Sequence, residues 1–236
     1  MPFLVVLPTY NEILNIEAML RALRTTVQEV DILVVDDASP DGTARKAEEL
    51  ANELGQIFLL ERSKKDGLGG AYRDGFTWGL ERGYDGFVEI DCDFSHDPQA
   101  LPALLAASQA ADVVIGSRYV PGGRIPQWKL SRRLLSRGGN QYASLALGLR
   151  VADSTAGYRV YSKRALEKIN YTTVTADGYG FQIEMTYRAR RGRATIVEVP
   201  ISFTDRELGE SKMSSAIVVE ALILVTKLAG RRLLRK

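Results

Sequence analysis

Five short apolar runs, each followed by a polar turn and then a helical pattern, constrain this chain most. They are Phe3–Leu7, Ile32–Val35, Ile57–Leu60, Phe87–Ile90 and Val113–Ile115. Runs rich in β-branched and large apolar residues, without polar alternation, read as strands buried on both faces. After the first, Ile16, Leu20, Leu23 and Val27 recur at helical spacing, which predicts an amphipathic helix over 11–27. Thr43 is expected to cap a second helix over 44–54. A third includes 72–80, and Pro98 opens a fourth that ends near Ala110. Strand and helix alternating in this way specify an α/β fold. Its sheet is mostly parallel and doubly wound, with helices on both faces.

The second half carries fewer strand signals. Pro121, Gly122, Gly123 and Pro126 mark a loop, and 134–149 reads as a helix despite Gly138 and Gly139. The stretch 153–159 returns toward the sheet, 181–190 is a short helix and 195–203 a further strand. Residues 204–212 form a polar loop containing Gly209, a candidate lid. The expected division is a catalytic domain over 1–213 and an amphipathic, basic helix over 214–236.

Charge is uneven although the net value is only +2. Five of the 31 basic side chains fall in the last ten residues, which hold no acid. Between Asp112 and Asp153 there is no acidic residue, but seven basic ones: Arg118, Arg124, Lys129, Arg132, Arg133, Arg137 and Arg150. Such a stretch attracts anions. The overall balance lacks the basic excess of a nucleic-acid binder, so phosphorylated small molecules or lipids fit better. A single cysteine, Cys92, excludes an internal disulfide framework and points to a reducing setting. Phe3–Leu7 is too short, and lacks the basic flank, for a secretory signal.

The chemistry centres on Asp91 and Asp93, at the end of the fourth strand. Alternation turns both carboxylates to one face and Cys92 to the other, toward the core. Two hard oxygen ligands there suit Mg²⁺ or Mn²⁺, ions whose shells substrate phosphates complete. This edge is also where open α/β sheets bind ligands. Read alone, the pair more readily suits a solvated acidic loop, and the rest of the chain has to support a metal site. Gly67-Leu-Gly69 is not a dinucleotide fingerprint, because it follows the third strand and lacks the third glycine. Its lysines and backbone amides remain candidates to meet a phosphate. A phosphatase would want Asp-X-Asp on the first strand. A calcium loop would want glycine at His96 and glutamate at Pro102.

Several stretches resemble the family 2 glycosyltransferases of the GT-A, Rossmann-like fold. They are Pro8-Thr-Tyr-Asn-Glu12, Val35-Asp-Asp-Ala-Ser-Pro-Asp-Gly-Thr43, Gly67-Leu-Gly-Gly-Ala-Tyr72, Asp91-Cys-Asp-Phe-Ser-His-Asp-Pro98 and Gly116-Ser-Arg-Tyr119. With Asp153-Ser-Thr-Ala-Gly-Tyr-Arg159 and Asp205-Arg-Glu-Leu-Gly-Glu-Ser-Lys-Met213, the likeness narrows to the polyprenol- or dolichol-phosphate mannosyltransferases, and it spans about 3–213.

The resemblance implies a donor, GDP-mannose, and an acceptor, a polyprenyl monophosphate. Pro8, Tyr10, Glu12, Val35, Asp37, Asp91, Cys92, Asp93 and Arg118 would bind the sugar nucleotide. Asp91 and Asp93, with Ser95 as third oxygen ligand, would hold Mg²⁺ or Mn²⁺. Arg118, Arg132 or Arg133 or both, Arg206 and Lys212 would gather the phosphates. Asp91, Asp93, Arg118, Arg206 and Lys212 carry the catalysis in this reading. In-line attack at C1 inverts the anomer. The acceptor oxygen is already anionic, so His96 is redundant as a general base and reads as structural. Asp153 reads as an arginine's partner or a wall of the acceptor pocket.

Two other readings stay open: a UDP-glucose or UDP-GlcNAc transferase with the same lipid acceptor, and a non-catalytic scaffold. In the C-terminal segment, Ala216–Gly230 is too short and too interrupted, by Glu220 and Lys227, to span a membrane. It fits a helix on an anionic membrane surface, or one docked on a small integral-membrane anchoring subunit. A helix packed on the core is the alternative. The expected location is peripheral, on the cytoplasmic face of a membrane.

Overall fold

The computed structural model describes residues 2–206 and 215–233. Five apolar runs become strands β1 (Phe3–Thr9), β2 (Asp31–Asp36), β3 (Ile57–Glu61), β4 (Gly86–Glu89) and β5 (Val113–Ser117). Two more follow, β6 (Arg159–Ser162) and β7 (Ile196–Pro200). They form one sheet in the order β3-β2-β1-β4-β6-β5-β7. The sheet is mostly parallel, as expected. The exception is β6, which runs antiparallel to both β4 and β5 and separates them. No alternation in the sequence announces so short an inserted strand.

Helices cover both faces. On one, α1 (Ile16–Thr26), α2 (Thr43–Leu54) and α4 (Leu101–Ala107) meet Val5, Leu7, Ile32, Val34, Val88 and Ile90. On the other, α3 (Gly67–Glu81), α6 (Lys163–Ile169) and α7 (Gly178–Arg191) meet Leu4, Val6, Leu33, Val35 and Phe87. Successive strand residues thus enter opposite cores, which is why these runs lack polar alternation. α5 (Leu130–Leu147) and α8 (Ser215–Leu233) pack on each other, and α8 also packs on α7. Ala221, Val225 and Leu228 of α8 are buried in the same core as α7. Among the described residues no helix is long and apolar enough to cross a membrane.

Among the boundaries that differ from the sequence reading are the starts of α1 and α2. α1 starts at Ile16, not residue 11, because Asn11 takes a left-handed backbone, φ 56°, and the chain must turn before the helix begins. Thr43 is the first residue of α2 rather than its cap. Gly42 holds the cap position at φ 91°, and the Thr43 hydroxyl accepts the Glu12 amide at 3.0 Å and donates to Asp41 at 2.6 Å.

α3 approaches the sheet closely at Gly75 and Gly79. A Cβ at Gly75 would lie 2.4 Å from Val6 Cγ1, and one at Gly79 2.6 Å from Phe87. These glycines are required by packing, and overfilling such a contact costs about 1–3 kcal/mol. The close approach brings Tyr72, one turn earlier, under the end of β4.

Candidate active site

The carboxyl ends of β1, β2 and β4 are neighbours, so their loops converge on one edge. Pro8 pairs in register with Val35, and Thr9 with Asp36. Asp36 ties the loops together, accepting from Thr9 Oγ1 at 2.8 Å and from the Ser39 amide at 2.8 Å. Asp41 does the same for the Ile13 and Thr43 amides. These two acids are therefore structural. Asp37, buried, pairs with Arg62, which also meets Asp74 at 2.7 Å. Glu12 is buried and accepts from Asn15 at 2.9 Å. The Lys65 ammonium lies 3.9 Å over the Tyr10 ring. Val35 is fully buried under α3, so only its backbone reaches this edge.

Asp91 and Asp93 leave β4 on the α3 face, while Val88, Ile90 and Cys92 enter the opposite core. Cys92 is buried there, as alternation required. The Asp93 carboxylate is held at both ends. Its Oδ1 accepts the Ser95 amide at 2.9 Å, and its Oδ2 meets Arg206 Nη2 at 2.8 Å. Arg206 arrives because the chain after β7 adds onto this turn: Phe203 bridges His96, and the Thr204 amide donates to the Ser95 carbonyl at 3.2 Å.

Beneath Asp91 lies a buried polar layer that sequence reading missed. Tyr72 points its hydroxyl at Asp91 Oδ1, 3.4 Å away. Glu89, fully buried, accepts from Gln182 of α7 at 2.8 Å and pairs in register with the buried Arg159. Burial pushes the Glu89 carboxyl up to about 8, against the pull of Arg159. The available signal was position: Glu89 shares the face of Asp91 by the same alternation. His96 is also buried, its Nδ1 3.7 Å from Asp91 Oδ2. Burial pushes its imidazole down to about 4, so it is neutral, as its structural reading required.

The cations expected to gather phosphates have varied surroundings. Arg118 is buried and makes a two-pronged pair with Asp153, both contacts at 2.7 Å. Asp153 is thus an arginine's partner. Burial alone would raise its carboxyl, but Arg118 and its hydrogen bonds outweigh that and hold it below the usual range. Arg132 stacks 3.9 Å over the Trp128 ring and pairs with Asp205 at 2.9 Å, next to Arg206. Arg133 turns instead to the Ile125 carbonyl at 2.7 Å. Lys212, and with it residues 207–212 of the lid expected over 204–212, lies outside the described residues. At the start of α3 the Gly69 amide donates to Asp177 Oδ1 at 2.7 Å, so this amide already has an anionic partner.

The donor set fits a divalent cation. Asp91 and Asp93 offer hard oxygens on one face, and Arg206 stands where Asp93 needs positive charge. Among the described residues no cluster of three or more His, Cys, Asp or Glu is arranged around a metal position, so an ion would need oxygens from elsewhere. Burial, helped by the nearby Asp93 charge and opposed by Arg206, pushes the Asp91 carboxyl up to about 7. An arriving ion must displace that proton. The apparent Mn²⁺ affinity should therefore fall about tenfold per pH unit below 7 and level off above it. Calorimetry across this range checks it, and a pH-independent affinity would count against Asp91 as a ligand.

Residues 4–170 match the sequence profile described as Glycosyl transferase family 2. The chain is 53% identical to the undecaprenyl-phosphate mannosyltransferase of Micrococcus luteus, over 96% of this chain and 93% of that protein. It is 48% identical to the polyprenol monophosphomannose synthase of Mycolicibacterium smegmatis, over 95% and 85%. Among solved structures it resembles the glucosyl-3-phosphoglycerate synthase of Mycobacterium tuberculosis, bound to Mn²⁺ and UDP-glucose. The TM-score is 0.72 at 21% identity, over 97% of this chain and 79% of that one. It also resembles a Pyrobaculum calidifontis mannosyltransferase bound to GDP-mannose and Mn²⁺, with TM-score 0.60 at 16% identity, over 97% and 73%. Those likenesses concern the fold, whereas the profile match and the near-full-length identities concern the family: the chain belongs to the family 2 glycosyltransferases.

Proposed function

We propose that the protein transfers mannose from GDP-mannose to a polyprenyl monophosphate, with inversion, releasing GDP. The observation that carries this reading is the near-full-length identity, 53% and 48%, to proteins named for mannosyl transfer to undecaprenyl phosphate and for polyprenol monophosphomannose synthesis. The geometry is compatible. Pro8, Tyr10, Glu12, the Val35 backbone and Asp37 would form the nucleotide pocket at the β1–β2 edge. Asp91 and Asp93, with Ser95, would hold Mg²⁺ or Mn²⁺. Bound there, the ion neutralises charge developing on the leaving diphosphate.

The remaining steps belong to side chains. The acceptor phosphate is an anion at neutral pH, so no base is needed. What it needs is positioning against a second anion. Arg206 and Arg132 are close enough in the chain's fold to share that task, each now paired with a carboxylate that a phosphate could replace. Lys212 is proposed to join them. Arg118 acts as half of an ion pair and offers a phosphate the one terminal nitrogen, Nη1, that Asp153 and Thr155 do not engage. Arg133 supports the 121–126 loop. Tyr72 and His96 position Asp91.

The proposed place of action is peripheral, at the cytoplasmic face of a membrane. A small integral-membrane anchoring subunit remains part of the proposal. The donor is tested by offering GDP-mannose, UDP-glucose and UDP-GlcNAc separately with polyprenyl phosphate. Lipid product should form from GDP-mannose at least about tenfold faster, because a base pocket with buried polar groups rejects a mismatched base. Preference for a UDP-sugar would overturn the donor assignment and keep the fold and the acceptor.

A further inference from the structure

The packed face of α5 carries an amide, Asn140, beside Ala143 and Leu147. Asparagine is a poor helix former, and burying it is costly unless its polar atoms are matched. Here they are matched. Its Oδ1 accepts from the Ser154 amide at 2.7 Å, the Ser154 hydroxyl at 2.9 Å and the Thr155 amide at 3.2 Å. Its Nδ2 donates to Thr155 Oγ1 and to the Ser136 carbonyl, both at 3.1 Å. Glu198 of β7 takes the two preceding amides, Ala152 at 2.7 Å and Asp153 at 2.9 Å. Arg159 of β6 donates to the Ser154 and Ala156 carbonyls, both at 2.7 Å. Three elements thus fix the segment 152–156, which is neither helix nor strand.

What the segment holds is Arg118. Asp153 Oδ2 accepts from the Arg118 amide at 3.0 Å and from Nε at 2.7 Å, and Oδ1 accepts from Nη2 at 2.7 Å. Thr155 Oγ1 accepts from Nη2 as well, at 2.8 Å. A hydroxyl has one proton to give and lone pairs to receive. Those of Thr155 receive Arg118 and Asn140, and its proton turns to Asp153 Oδ1 at 3.3 Å. The Asn140 donor therefore keeps this hydroxyl an acceptor on the side of Arg118. The Trp128 ring centre lies 5.7 Å from the Arg118 guanidinium and 3.9 Å from that of Arg132, so both cations border one ring.

We infer that Asn140 is a positioning residue: acting through Thr155 and Asp153, it aims the unengaged Nη1 of Arg118 at a substrate phosphate. The guanidinium is planar and rigid, so clamping Nε and Nη2 fixes the direction of Nη1. A donor held in place binds better than one that must be ordered on arrival. That the ligand is a phosphate rests on the proposed mannosyl transfer. Either the donor diphosphate or the acceptor phosphate presents that chemistry.

The test uses the full chain, with inorganic pyrophosphate in Mg²⁺ buffer as the probe and calorimetry as the readout. Asn140→Ala should bind it about tenfold more weakly, the worth of one hydrogen bond to a charged group. Because that change also strands buried amides, Thr155→Val is measured beside it. It keeps Asn140 and every backbone contact of the segment, removes only the hydroxyl, and should lose a similar factor. Thr155→Ser restores the hydroxyl and should recover most of the loss. In a background that lacks the ion pair, Asp153→Ala with Arg118→Met, adding Asn140→Ala should cost no further affinity. In mannosyl transfer, Thr155→Val should raise one KM with little change in kcat. A rise for GDP-mannose assigns Nη1 to the donor diphosphate, and a rise for polyprenyl phosphate assigns it to the acceptor. A merely structural amide would lower Tm and leave the pyrophosphate affinity of folded Asn140→Ala and Thr155→Val at the parent's value, and that result would overturn the inference. Losses that persist in the background without Arg118, or a parent that binds no pyrophosphate, would overturn it too. If the parent forms no mannosyl lipid, the proposed function fails, while the pyrophosphate series still decides the role of Asn140.

Discussion

Asp93→Ala should lower mannosyl transfer by roughly 1000-fold or more, equivalent to about 4 kcal/mol of transition-state stabilisation. The substitution removes one of two strand-end carboxylates and the partner that holds Arg206 at 2.8 Å. Both the proposed metal site and the nearest acceptor cation are disturbed together. Asp93→Asn separates the effects. It keeps an oxygen for the Ser95 amide, now at 2.9 Å, but loses the charge. Mn²⁺ affinity, read by calorimetry, should fall in both variants. Full activity in either, with the protein folded, would remove Asp93 from the site.

Asp153→Ala should be the most destabilising single change near the site, costing about 3–5 kcal/mol. It would leave the Arg118 guanidinium buried and unpaired beside Phe203, whose ring centre is 5.3 Å away. For a chain of this length such a loss lowers Tm by roughly 10 °C. Adding Arg118→Met to Asp153→Ala should recover part of the loss, because the stranded charge is then gone. A double variant no more stable than Asp153→Ala would show that the pair is not the source. The pH dependence has a definite sign. A carboxyl held below its usual range contributes stability that is present near neutrality and lost in acid, as pH falls through its folded value. Asp91 and His96 act in other windows. Asp91, raised to about 7, makes ionisation a growing cost as pH rises from its ordinary value, near 4, to 7. His96, lowered to about 4, makes the buried neutral ring a growing cost as pH falls from about 6.5 to 4.

The parallel core and the Asp91–Asp93 edge were legible in the sequence because local pattern determines them. β1, β2, β3, β4 and β5 each follow from an uninterrupted apolar run, and alternation alone sets Cys92 apart from its neighbours. What escaped depends on partners distant in the chain. Asp177 fills the start of α3 from 108 positions away. That Asp153 is the partner of Arg118, 35 positions earlier, is one of two readings that the sequence leaves open. Glu89 reads as part of a strand, and only the cross-strand register brings Arg159 beside it. The leucines of α5 illustrate the same limit from the other side. Helical spacing identifies an apolar face, but only the packed face at Asn140, Ala143 and Leu147 reveals that the leucines point outward.

The most direct test of the central claim follows label from GDP-[¹⁴C]mannose into polyprenyl phosphate in detergent. EDTA is added, and Mn²⁺ or Mg²⁺ is then restored in excess. The account predicts label in an organic-soluble, mild-acid-labile mannosyl phosphate lipid. Its formation should stop with EDTA, return with the metal, and be absent in Asp93→Ala. Label transfer that is indifferent to EDTA, or that goes to an acceptor without a lipid phosphate, would contradict it.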